Sequence, residues 1–266
     1  MKDYTHYNDC VDAATVDRLL DLNRRFYTER GRDFSATRLR LQPGVKHLLG
    51  SLGGGESILD LGCGNGELAR FLSTHGHRGS YLGLDFSPVL LAEAGREAFS
   101  FPVHFVDCDL SQPAWDEALT HYSATSSSLH GPPFDIVFCF AVLHHIPGAS
   151  LRSSIPCKVH ALLTDAGSFM VSNWRFTESP RMNGRVQPWS AVGLRAEQVD
   201  PHDHVLDWKR GGIALRYVHQ FDEPELSGLA AAAGFEVTQS FYSDGADRKS
   251  SLYQVWMKSG RRRPTV

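Results

Sequence analysis

The sequence predicts an α/β protein built on a seven-stranded, doubly wound sheet with an N-terminal helical addition. Three observations carry that expectation. From residue 56 onward, short apolar runs of strand length alternate with helical patterns of about ten residues, which implies βαβ units and a mainly parallel sheet. The first run ends in Asp60 and enters a glycine-rich turn, Gly62-Cys63-Gly64-Asn65-Gly66, before a helical pattern begins at Glu67. The last two runs are separated only by a polar turn and suit an antiparallel pair.

Taken in order, residues 11–29 place Val16, Leu19, Leu20 and Phe26 at helical spacing and predict an N-terminal helix. Residues 39–52 predict a second, stopped by Gly53-Gly54-Gly55. Strands are expected at 57–61, 80–85, 103–107 and 134–140, with helices at 67–75, 88–98, 114–120 and 151–163. Ser87-Pro88 is a helix start with proline at its first position. The Ser-rich stretch 121–133, ending Gly-Pro-Pro, reads as a surface insertion. A strand at 168–173 precedes residues 174–219, which lack clear periodicity. A loop that long inside a compact domain reads as a lid or binding segment. A helix at 223–233 and strands at 235–242 and 252–257 follow. The expected organisation is one domain: a helical addition (1–55), a cofactor-binding half (56–173), a substrate lid after strand five (174–221), and a C-terminal helix and hairpin (222–266).

The composition is that of an ordinary globular chain, 266 residues with 42% apolar and 21% charged. No apolar run approaches ~18 residues, so no membrane span is expected. The first ten residues lack the apolar core of a signal peptide, which makes the cytoplasm the expected compartment. Cysteines 10, 63, 108, 139 and 157 show no C-x-x-C spacing and read as small hydrophobes in a reducing environment. No metal is expected: His202-Asp203-His204 has no evident third partner and reads as a solvated loop. A net charge of −3 gives no global pull toward nucleic acid, and DNA is not an expected partner. Local basic patches stand apart from that balance. Arginines 18, 24, 25, 30, 32, 38 and 40 cluster near the N-terminus, and Lys258 and Arg261–Arg263 near the end.

The glycine turn separates nucleotide-binding classes. A dinucleotide fingerprint needs glycine at position 67, which is Glu67, and the Gly-Lys-Ser/Thr of a P-loop is missing. In a doubly wound sheet, ligands sit at the carboxyl ends of the strands, and each end here carries suitable chemistry. Strand one gives Asp60 and the turn Gly62-Cys63-Gly64, and strand two gives Asp85-Phe86, a carboxylate suited to ribose hydroxyls. Strand three gives Asp109, chosen over Asp107 as a partner for an adenine amino group, with Leu110 to pack on the ring. Strand four gives Phe140 and, just beyond, His144-His145. The Asp-x-Gly-x-Gly-x-Gly turn and this series resemble the class I S-adenosylmethionine methyltransferases across roughly residues 40–260. The resemblance implies their Rossmann-like fold, S-adenosyl-L-methionine as cofactor, and Asp60, Gly62, Cys63, Gly64, Asp85, Phe86, Asp109, Leu110 and Phe140 as its binding residues.

Three further segments are similar to a narrower group, the eukaryotic-type tRNA wobble-uridine carboxymethyl methyltransferases. They are Phe26 to Arg38, which ends Phe34-Ser35-Ala36-Thr37-Arg38; Ala141-Val-Leu-His-His-Ile-Pro147; and Arg216-Tyr-Val-His-Gln-Phe221 with Glu225-Leu226 and Ser240-Phe-Tyr-Ser-Asp-Gly245. Val218 and Ala246-Asp247 depart from that group's pattern. The resemblance implies methylation of a carboxylate on a modified tRNA base, tRNA as partner, and a small zinc-binding partner subunit. A carboxylate is ionised at neutral pH and needs placement and cationic clamps more than a base. Arg38, His144, Arg216 and His219 are the residues expected to supply them, arginine offering a bidentate fork. His145 is expected to be a packed residue beside strand four. Two other readings stay open: a small-molecule O- or carboxyl methyltransferase, and a catalytically silent partner subunit of the same fold.

Overall fold

The computed structural model describes residues 11–37, 40–117, 119, 131–210 and 212–260. Ten strands form two sheets: β1 (Ser57–Leu61), β2 (Ser80–Asp85), β3 (Val103–Asp107), β4 (Phe134–Phe140), β5 (Leu163–Trp174), β6 (Val186–Gln187), β7 (Asp203–Trp208), β8 (Ala214–His219), β9 (Phe235–Ser243) and β10 (Ser251–Lys258). The large sheet has the order β3-β2-β1-β4-β5-β10-β9. Its first five strands are parallel, and β10 runs antiparallel to both β5 and β9. This is the seven-stranded α/β architecture the sequence predicts. Chain order reverses between β1 and β4, which opens a crevice at their carboxyl ends.

Strand parity builds the core on both faces of this sheet. Leu59, Leu61, Val137 and Cys139 point to the side covered by α5 (Ala149–Leu162) and α7 (Glu223–Ala232), where Ile155, Val159, Leu226 and Trp256 pack. Ile58 and Phe138 point the other way, onto Leu68 and Leu72 of α3 (Glu67–Thr74) and Leu48 of α2 (Pro43–Leu49). Helix starts follow local chemistry. Asp12 caps α1 (Ala13–Ser35) by accepting from Thr15 N at 2.8 Å, and Ser87, followed by Pro88, caps α4 (Pro88–Ala94). Helix α1 runs six residues past the end the sequence suggests.

Residues 174–219 are not the structureless lid the sequence suggests. They contain α6 (Pro180–Asn183) and a small antiparallel sheet, β6-β7-β8. The alternation that reveals a strand is missing because most of β7 and β8 is buried on both faces. Helix α1 packs on β8 through Asn23, which donates to Tyr217 O (3.2 Å) and accepts from Tyr217 N (2.8 Å), as a neighbouring strand would. Of the helix expected at 114–120, residues 117 and 119 are helical and 118 and 120 lie outside the described residues, as does most of the insertion at 121–133. Residues 114–116 form a turn that buries Trp115. Cys63, Cys108 and Cys139 are buried free thiols and Cys157 is an exposed one; Cys10 lies outside the described residues. Among the described residues no helix is long and apolar enough to cross a membrane.

Candidate active site

The crevice at the β1/β4 reversal is a cavity of about 240 Å³, roofed by α1 and walled by the ends of β1 to β5. The glycine turn forms its floor. Gly62 N and Cys63 N donate to Leu84 O at 2.7 and 2.9 Å, which locks the turn to β2. Gly62 (φ 72°) has no room for a side chain, because a Cβ would meet Val142 at 2.3 Å. Gly64 (φ 56°) differs: a Cβ there would enter open space in the cavity wall. Backbone is laid bare at that point, as close approach of a ligand requires.

Two buried carboxylates flank the turn. Asp60 accepts a short hydrogen bond from the Tyr81 hydroxyl. Burial pushes its carboxyl up to about 7; the Tyr81 bond pulls down and the nearby Asp85 charge pushes up further. Asp85 accepts Gly64 N and Ser87 N, each at 2.9 Å. Burial still lifts it to about 6, against those two hydrogen bonds. Cys63, Phe86, Leu110 and Phe140 line the same cavity, as the sequence suggests. Asp109 also lines it, whereas Asp107 is exposed. Arg24 of α1 grips Asp109 through Nε (3.0 Å) and a terminal nitrogen (2.8 Å), and Ser111 N donates to its other oxygen at 2.9 Å. Burial alone would raise Asp109, but the Ser111 and Arg24 bonds outweigh it and hold the carboxyl below its ordinary range.

The acceptor end departs from expectation. His145, not His144, reaches the cavity wall. The two sit in a 3₁₀ turn, Leu143–His145, that sends adjacent side chains to different sides. His144 is fully buried, its Nδ1 3.3 Å from Asn173 Oδ1 and its ring 4.5 Å from that of Trp174. Arg216 is buried behind the wall as well. Its guanidinium lies over Trp174 (4.6 Å), Phe26 (5.1 Å) and Trp208 (5.5 Å), and Trp174 is the ring that faces the cavity. His219 is not on the cavity. Its ring nitrogens lie 2.8 Å from Asp203 and 2.9 Å from Glu225, inside a network that includes Tyr217, Arg152 and Asp200. Burial and the Arg152 charge lower its pKa, yet the two carboxylate bonds win and raise it. A histidine bonded at both nitrogens ties the small sheet to α7 and has no lone pair left for chemistry. Arg38 lies outside the described residues.

Sequence reasoning missed Asn23, Arg24, Tyr27, Arg40, Trp174 and Asp244, all of which line the cavity. Tyr27 bonds His145 Nε2 at 3.0 Å, and Asp244 accepts Gly44 N (3.0 Å) and the Tyr253 hydroxyl (2.6 Å). One signal was available: Asn23 and Tyr27 are polar-tipped residues at i and i+4 on the same buried face of the helix as Leu19 and Phe26. Among the described residues no cluster of three His, Cys, Asp or Glu side chains could hold a metal ion.

Residues 59–169 match the methyltransferase domain family. A protein of Encephalitozoon cuniculi named as a methyltransferase is 26% identical over 244 residues, 88% of this chain and 94% of that one. A solved S-adenosylmethionine-dependent methyltransferase of Methanosarcina mazei, 18% identical, superposes with a TM-score of 0.57 over 83% of this chain and 99% of its own. The 1,6-didemethyltoxoflavin-N1-methyltransferase of Burkholderia thailandensis, 21% identical, does so at 0.58 over 97% and 99%. These two likenesses establish the fold. Together with the matched domain, they support a methyltransferase that uses S-adenosylmethionine, on the seven-stranded α/β fold these proteins share.

Proposed function

We propose that S-adenosylmethionine sits across the turn 62–64, with Asp60 near the cationic methionine part, Asp85 on the ribose hydroxyls, and Asp109 and Leu110 at the adenine. The residues fit such a ligand. Open space at Gly64 admits backbone contact, and two carboxylates raised by burial, Asp60 further by the charge of Asp85, call for a cation beside them. When bound, the cofactor supplies an electrophilic methyl group on a positively charged sulfur. The protein's own work is to exclude water, hold the acceptor in line, and balance its charge.

For the acceptor we infer a carboxylate, that of a carboxymethyl-type wobble uridine in tRNA. The observation that carries this reading is the buried Arg216 guanidinium stacked on Trp174, the ring at the cavity's acceptor wall. A fixed cation in a low-dielectric wall favours an anionic acceptor over a neutral one. Phe34 and the segment Arg216 to Phe221, parts of the stretches that resemble the wobble-uridine enzymes, belong to the elements around that wall. The unstacked base would enter beneath α1 and β8, while the arginines of α1 follow the phosphate backbone. A small zinc-binding partner subunit belongs to the same reading. Incubation with labelled S-adenosylmethionine and total tRNA from a strain lacking the activity, followed by nucleoside analysis, tests it. The expected product is a base-labile methyl ester on a wobble uridine; labelling of no tRNA, with or without a partner subunit, sinks it. A small-molecule acceptor is the second reading. The Burkholderia thailandensis neighbour, solved with the small molecule 1,6-didemethyltoxoflavin bound, favours it.

A further inference from the structure

We propose that Tyr27 and His145 form a proton-accepting relay at the acceptor end of the cavity, which lets the site methylate a phenol-like hydroxyl as well as a carboxylate. This rests on the cofactor lying in the cavity, as above, and not on the tRNA assignment. The hydrogen-bond pattern carries it. His145 Nδ1 lies 3.1 Å from the Tyr217 carbonyl oxygen, which has no proton to give, so Nδ1 is the protonated nitrogen. In the neutral ring Nε2 then carries a lone pair, and the Tyr27 hydroxyl at 3.0 Å donates to it. A tyrosine that gives its proton inward presents an accepting oxygen, and both residues line the cavity.

The ring of His145 is held for this role. Trp174 and Tyr27 meet it edge-on at 5.4 and 5.7 Å, and Asn23 binds both His145 O (3.0 Å) and the Tyr217 backbone whose carbonyl fixes the tautomer. Carboxylate methylation has no use for such a base, since no proton leaves the acceptor. A histidine base suits an acceptor near the acidity of a phenol far better than an aliphatic alcohol. In the step, the acceptor hydroxyl gives its proton to the Tyr27 oxygen while the Tyr27 proton passes to His145 Nε2. The acceptor oxygen forms the new bond to the methyl carbon, and the carbon–sulfur bond breaks with its electrons left on sulfur. The products are the methyl ether, S-adenosylhomocysteine and an imidazolium that later loses its proton to water.

Two measurements decide this. First, ¹⁵N NMR of the protein saturated with S-adenosylhomocysteine at pH 7.5 should find His145 neutral, with its single proton on Nδ1. A doubly protonated ring, or a proton on Nε2 alone, overturns the relay whatever the acceptor. Second, total tRNA labelled with the methyl donor is treated with mild alkali, which hydrolyses methyl esters and spares aryl-type ethers. The wild type should leave alkali-stable label, and Tyr27→Phe and His145→Gln should each cut it by about a hundredfold or more while the ester label changes only several-fold. Label that is wholly alkali-labile, or stable label that survives Tyr27→Phe, overturns the relay. Failure to label any tRNA overturns the tRNA reading instead and leaves the relay to be decided by the NMR result.

Discussion

The pair Asp60 and Asp85 should make cofactor affinity depend on pH in a window where most carboxylates are silent. Asp60 titrates near 7 in the folded, ligand-free protein against an ordinary 3.8, an elevation worth on the order of 4 kcal/mol of preference for the protonated form. The folded state holds this proton more tightly than the unfolded chain does. Ligand-free stability is therefore fully present at about pH 4 and below, and this contribution is lost as pH rises through about 7. A bound cation reverses the preference and favours the ionised carboxylate. If the ligand drives Asp60 back to the ordinary carboxylate range, the dissociation constant follows the ionised fraction in the free protein, which is about 3% at pH 5.5 and about 76% at pH 7.5. Affinity should rise about 25-fold across that interval from Asp60 and about a further fourfold from Asp85, about 100-fold in all, while the ligand's own amino group stays largely charged. Asp60→Asn keeps an acceptor for the Tyr81 hydroxyl but removes the titration. It should leave about a fourfold dependence from Asp85, whose carboxyl sits near 6. Isothermal calorimetry with S-adenosylmethionine at pH 5.5, 6.5 and 7.5, in buffers of different ionisation heat, reads both affinity and proton release. A wild-type affinity that changes less than about threefold across these pH values refutes the placement of the cationic group beside Asp60.

Three other outcomes follow from the same geometry. Gly64→Ala should fold with a melting temperature within a few degrees of wild type yet lose at least about tenfold in cofactor affinity. Gly62→Ala should instead fail to fold or melt far lower, because its Cβ must displace Val142; equal behaviour of the two variants contradicts the distinct roles of these glycines. His219→Gln should destabilise the protein by about 3–5 kcal/mol in urea unfolding, since Asp203 and Glu225 lose a shared buried cation; the stability that His219 supplies in wild type should fade as pH rises through its elevated pKa, and a variant as stable as wild type at pH 7 contradicts the network. Arg24→Ala should weaken cofactor binding by up to about fivefold through a loosened Asp109 and leave turnover at saturation unchanged, so a loss confined to turnover, measured by steady-state kinetics, would place Arg24 with the acceptor.

The cofactor end was legible because its information is local. A strand, a turn with glycine at fixed steps and a carboxylate at each strand end are all read within a few residues, and Asp60, Gly62, Gly64, Asp85 and Asp109 all fall on one cavity. What stayed hidden there was the partner of Asp109: Arg24 lies 85 positions away and meets it only when α1 folds over the sheet. The small sheet was hidden for another reason. Leu206 of β7 and Val218 of β8 pack with Phe176 into a separate apolar cluster, so both strands are buried on faces that the sequence gives no cause to suspect. His144 and His145 show the finest limit. Adjacent histidines beyond a strand are equivalent in sequence, and only the handedness of one 3₁₀ turn decides which ring enters the cavity.

Asn23 shows how the acceptor side is tied into one unit. It binds the backbone of β8 with donor and acceptor together and the carbonyl of His145 besides, so α1, the small sheet and the end of β4 meet at one side chain. A shift of α1 would break three hydrogen bonds at once, two of them buried and costly to leave unmade. It would also carry Tyr27 off His145 and Arg24 off Asp109, because the three residues share barely more than a turn of helix. The same helix therefore holds both Tyr27 on His145 and Arg24 on Asp109, at the two ends of the cavity. The bonds that join α1 to β8 are buried and those that join it to Asp109 are partly exposed, so α1 is held more firmly to the small sheet than to the end of β3.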